Sequence, residues 1–91
     1  MKEITKTVLN ASGIHARPAG IFINEAKKFQ SKITVTNLTT EKSADAKSIL
    51  RVMTLCLTKD TPIKITAEGA DEAEAVEALG ALIDSGLGEE I

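Results

Sequence analysis

A chain of 91 residues can build one domain and is too short for two. Its 11 Lys and Arg stand against 13 Asp and Glu, and Phe22 and Phe29 are its only aromatic residues, which argues against a polyanion partner and a base-stacking platform. Cys56 is the only cysteine and His15 the only histidine, so neither an internal disulfide nor a transition-metal site is expected within one chain.

In chain order, residues 2–8 read as a strand with Ile4 and Val8 on one face and Lys6 interrupting it. From Ala16 to Lys28 a helix is expected, because Ala19, Phe22, Ala26 and Phe29 fall on one stripe while Glu25, Lys27 and Lys28 are polar. "KITVT", 32–36, alternates as a second strand with Ile33 and Val35 facing one way. "KSADA", 42–46, is expected as a third strand, and "KSILRVMTL", 47–55, as a short helix with Ser48 as N-cap. "IKITAE", 63–68, alternates again, and Pro62 marks its start. "DEAEAVEALGALIDSG" opens with Asp71 and Glu74 in capping-box spacing, places Val76, Leu79 and Ile83 on one face, and stops at Gly86. The order β-α-β-β-α-β-α, with one apolar face per strand, predicts an α/β (α+β) two-layer open-faced sandwich. In it, three helices cover one face of a four-stranded antiparallel sheet in a single domain, 1–91.

The chemistry is expected in "GIHARPAG", 13–20. Gly13 allows the turn that brings His15 round to the start of the first helix, and Pro18 fits the first helical turn, where its missing N–H costs nothing. The N–H groups of Ala16 and Arg17 then lack intrahelical partners and can face an anion, although the residue before a proline, Arg17, is expected to resist ideal helix geometry. A helix N-terminus and a neighbouring guanidinium both favour the neutral imidazole, which is a nucleophile. The same positive surroundings stabilise a phosphoryl group once it is attached.

With "GIHARPA" (13–19), "AKSIL" and "VMTL" (46–50 and 52–55) in place, the chain resembles the HPr family, the histidine-containing phosphocarriers of the bacterial phosphoenolpyruvate:sugar phosphotransferase system. The resemblance continues through "ITVT" and "ITAEGADEAEAVEAL" and covers nearly the whole length. It implies that His15 accepts a phosphoryl group through Nδ1 from phosphorylated enzyme I and passes it to sugar-specific IIA domains, while Arg17 balances its charge. Such a protein is a phosphoryl-transfer intermediate more than an autonomous enzyme, and it needs no cofactor of its own. Ser48 occupies the position at which an ATP-dependent kinase acts in Gram-positive members, which adds a serine kinase/phosphatase and a transcriptional regulator as partners. Ile49, Leu50 and Met53, with Leu55 beside them, would join Gly20 and the basic Lys27, Lys47 and Arg51 in a docking surface for enzyme I and IIA.

The chain departs from the family pattern at Leu50 and Arg51, where Gram-positive members usually carry Met and Gly, and at Gly20, where Ala or Thr is usual. Cys56 stands where Gly or Ala is common and reads as a small packed residue. "TNLTTEKSA" is longer than the tight Asn-Gly turn of many members. The expected protein is cytoplasmic and monomeric: no apolar run reaches membrane-spanning length, "MKEITKTVLN" lacks a signal-peptide core, and neither nucleic acid nor membrane is expected as a partner. Two other readings are a regulatory relative acting through the Ser48 surface and a carrier in a nitrogen-related phosphorelay.

Overall fold

The alternation read from the strands is used in full in the computed structural model, which describes residues 1–89. Its elements run β1 (Lys2–Thr7), α1 (Ala16–Ala26), β2 (Lys32–Asn37), β3 (Lys42–Asp45), α2 (Ile49–Met53), β4 (Pro62–Glu68) and α3 (Glu72–Asp84). The strands form one antiparallel sheet in the order β1-β4-β2-β3. Register places Ile4 beside Ile65, Ile65 beside Val35 and Val35 beside Ala44, an apolar row across all four strands. The next row over, Thr5, Lys64, Thr36 and Ser43, lies on the opposite, polar face. Because side chains alternate along a strand, that register leaves a single face to be covered.

The helices cover it with Ala19, Phe22, Ile23 and Ala26 of α1, Val52 of α2, and Ala75, Val76, Leu79 and Ile83 of α3. Phe22 heads the fully buried side chains by size; burying one such residue contributes about 1.5–3 kcal/mol. The helix α3 lies against β1 and β4, and α1 bridges α2 and α3.

Several boundaries and faces differ from the sequence reading. The first strand ends at Thr7, and Val8 is fully buried beyond it, its N–H donating to the Thr61 carbonyl. Lys6 does not break the Ile4 face but joins it: its amine reaches the Asp84 carboxylate at 2.7 Å. Gly80 makes that passage possible, since a Cβ there would lie 2.7 Å from Ile4 Cδ1 and 3.1 Å from Lys6 Cε. The helix α1 ends at Ala26, two residues short of Lys28, and Phe29 still packs on the core from beyond it. The strand β3 stops at Asp45, and α2 is trimmed to five residues.

The capping box at α3 does not form. Asp71 is the N-cap by position, but its carboxylate accepts the N–H groups of Gln30 and Ser31 and the Ser31 hydroxyl. Those donors, the Ser31 hydroxyl first, hold Asp71 below the usual carboxylate range. Three donors from the two residues just before β2 outcompete the helix's own N–H groups, so Asp71 ties the approach to β2 to the start of α3 instead of capping the helix. At the other end Gly86, at φ 85°, follows the C-cap Ser85 and ends the helix as expected. The connection from β2 to β3 is a four-residue loop, 38–41, in which Asn37 Oδ1 accepts the N–H groups of Thr39 and Thr40.

Candidate functional site

The loop from β1 to α1 is built around two anchors. Gly13 sits at φ 68°, a left-handed conformation that costs glycine little. No larger residue fits there, because a Cβ would fall 2.3 Å from the Leu57 carbonyl oxygen. Ile14 is buried, and its N–H donates to that same Leu57 carbonyl at 2.8 Å. With residue 14 pointing inward, residue 15 points out. His15 is exposed, occupies the N-cap of α1 at φ -147° and ψ 155°, and makes no side-chain cap bond.

Beyond it Pro18 is buried in the first helical turn, and the Ala19 N–H donates to the His15 carbonyl at 3.4 Å. The departure from ideal helix geometry expected at Arg17 is found one residue earlier: Ala16 has φ 51°. A non-glycine residue held there stores about 1–3 kcal/mol of strain, directly between the two candidate phosphoryl ligands. Arg17 is exposed, and among the described residues no carboxylate pairs with it. The site therefore offers an exposed imidazole, a helix N-terminus and an exposed guanidinium within three consecutive residues. That set can accept an anionic electrophile and hold the product.

His15 lines a cavity of about 290 Å³ with Ser12, Ile14, Met53, Cys56 and Thr58 among its walls. Cys56 is thus not the packed residue expected: it is exposed, and at φ 52° it makes the left-handed turn that follows α2. That conformation explains why glycine suits the position. Ser12 and Thr58 were missed by sequence reasoning; only the closeness of Ser12 to Gly13 hinted at a role. A larger groove, about 520 Å³, runs between β1 and α3, and His15 does not line it.

The proposed docking residues divide. Leu50 is 76% exposed and Ile49 40%, with Arg51 exposed between them and Val52. Met53 is half-buried and reaches the His15 cavity, so the outer side of α2 is continuous with the site. Leu55 belongs to the core. Lys27 is exposed, whereas the half-buried Lys47 has its amine on the Phe29 carbonyl at 2.7 Å, just past the end of α1. Ser48 is the N-cap of α2 by backbone position, yet its hydroxyl makes no cap bond. Its N–H donates to the Asp45 carbonyl, and its own carbonyl receives the Val52 N–H.

Gly20 lies inside α1, and a Cβ built there meets nothing within 4 Å. Gly20→Ala should therefore raise stability by about 0.5–1 kcal/mol through helix propensity alone, read as a higher urea midpoint at unchanged slope.

The model of the family described as "PTS HPr component phosphorylation site" matches residues 2–85. The chain belongs to the HPr family. Phosphocarrier protein HPr of Haemophilus influenzae is 50% identical over 76 residues, which cover 84% of this chain and 87% of that protein. The multiphosphoryl transfer protein of the same organism is 44% identical over 88 residues, 96% of this chain but only 18% of that much longer protein. The crystal structure of HPr-C-His from Thermoanaerobacter tengcongensis superposes with a TM-score of 0.95 at 45% identity over the full length of both chains. The open-faced β-α-β-β-α-β-α sandwich is therefore the HPr fold, and HPr is the phosphocarrier of the phosphotransferase system. Among the described residues no helix is long and apolar enough to cross a membrane.

Proposed function

We propose that this chain carries a phosphoryl group on His15, taking it from phosphorylated enzyme I and handing it to the IIA domains of sugar permeases in the cytoplasm, as a monomer. The observation that carries the reading is the exposed imidazole at the N-cap of α1, two residues before an Arg17 that no carboxylate among the described residues pairs with. The Nδ1 lone pair of the neutral ring forms the new P–N bond as the bond to the donor breaks and its electron pair leaves with the donor. Arg17 and the free N–H groups at the helix start offset the charge that arrives. Reversal onto a IIA acceptor is the same step run outward, and an exposed ring is open to both partners. Ile49, Leu50, Arg51 and Met53, with Gly20 on α1 and Lys27 at its C-cap, supply an apolar surface with a basic rim. Lys47 contributes by holding the end of α1 to the start of α2. Intact mass after incubation with enzyme I and phosphoenolpyruvate tests the reading: one added phosphate that acid removes supports it, and none with a competent enzyme I refutes it.

A regulatory role for Ser48 is favoured by a hydroxyl that no cap bond engages, next to the exposed Ile49 and Leu50. Phosphorylation by a serine kinase would add about -1.5 to -2 charge to the surface that enzyme I approaches, and a regulator could read that charge. Ser48→Asp should slow phosphoryl acceptance roughly tenfold by like-charge repulsion toward an acidic partner. An unchanged rate in a stopped-time phosphate-uptake assay would remove the electrostatic basis of the idea.

A further inference from the structure

The chain does not end its structural role with α3. Gly86, Leu87 and Gly88 take φ values of 85°, 54° and 86°, and Leu87 is buried, so the segment folds back onto the body of the protein. There the Glu89 carboxylate accepts three hydrogen bonds from the β1–α1 loop. Asn10 Nδ2 donates to Oε1 at 2.9 Å, the Ser12 N–H to Oε1 at 3.2 Å, and the Ser12 hydroxyl to Oε2 at 2.8 Å.

Those donors belong to the turn that presents His15. Asn10 is buried, its Nδ2 also donates to the Gly13 carbonyl at 2.8 Å, and among the described residues its Oδ1 has no partner, so these two donor bonds anchor the side chain. Ser12 lines the His15 cavity. A line of bonded groups thus runs from Glu89 through Asn10 and Ser12 to Gly13, then Ile14, then His15. We infer that Glu89 is a positioning residue for phosphoryl transfer: its carboxylate ties the chain's far end to residues 10–12 and so fixes where the His15 ring is presented. The inference rests on the carrier reading of His15. It is not an electrostatic role, because a carboxylate beside the site opposes an incoming phosphoryl group and benefits transfer only through geometry.

The full chain with Glu89→Ala, and separately Glu89→Gln, tests it. Steady-state phosphorylation by enzyme I and phosphoenolpyruvate is followed together with amide hydrogen exchange at Ser12. Glu89→Ala should lower kcat roughly tenfold, as a slightly misplaced nucleophile does, with KM within about twofold because docking lies on α1 and α2. Exchange at the Ser12 amide should rise by about tenfold, matching loss of a charge-assisted bond. Glu89→Gln should restore most of the rate, since an amide still accepts from Asn10 and from the Ser12 N–H and can donate to the Ser12 hydroxyl. An Ala variant with parental kcat and a protected Ser12 amide overturns the inference. So does acceleration in both variants, which would mean that charge and not tethering governs the site. If the parent chain takes up no phosphate, the carrier reading falls, whereas Ser12 exchange still reports whether Glu89 orders the loop.

Discussion

His15→Ala takes up no phosphate from enzyme I and phosphoenolpyruvate, and it melts within about 4 °C of the parent chain. The expectation has two independent parts. Abolition follows because His15 is the only histidine, so no neighbouring imidazole can substitute as acceptor. Retained stability follows because the side chain is exposed and makes no cap bond. The backbone bond that starts α1 uses the His15 carbonyl, which alanine keeps. Intact-mass measurement and a thermal melt on the same sample check both. A variant that melts far below the parent would make the histidine structural and withdraw the carrier reading; a variant that still gains an acid-labile phosphate would move the acceptor elsewhere.

Most of the architecture could be read from the sequence because it rests on local periodicity. Ile33 and Val35, and Ile63, Ile65 and Ala67, alternate as half-buried strands must, and Phe22 recurs with Ala19 and Ala26 on one stripe. The His15 loop was legible for the same reason: Gly13, His15, Arg17 and Pro18 announce a turn and a helix start within six residues. What escaped depends on partners far along the chain. Lys6 sits on the apolar face because Gly80 and Asp84, more than seventy residues away, leave room and a charge for it. Asp71 abandons its cap for donors forty residues earlier, and Glu89 returns across more than seventy to the 10–12 loop. Lys47 looks like a free surface charge until the Phe29 carbonyl is brought beside it. Cys56 looked like packing because its conformation, which decides its exposure, has no signature in composition.

Gly13→Ala is the substitution expected to do most damage to the fold and to transfer at once. The new methyl group meets the Leu57 carbonyl oxygen at 2.3 Å and the Thr58 Cα at 2.9 Å, both backbone atoms, and the residue keeps φ 68°. Left-handed strain and overpacking against a backbone that cannot rotate away together cost about 2–5 kcal/mol, a large part of the total for a domain of this size. The damage is also directional. The Leu57 carbonyl is the acceptor that holds the Ile14 N–H, so the methyl group pushes apart the contact that aims His15 outward. Phosphate uptake should therefore fall at least about tenfold even at temperatures where the variant is folded. Gly20→Ala is the internal control, because it adds the same methyl group one helical turn past the site, where nothing stands within 4 Å. Urea midpoints should move in opposite directions for the two variants. If both rise, the loop has slack that the backbone distances deny, and the placement of His15 depends on something other than the contact between residues 13–14 and Leu57.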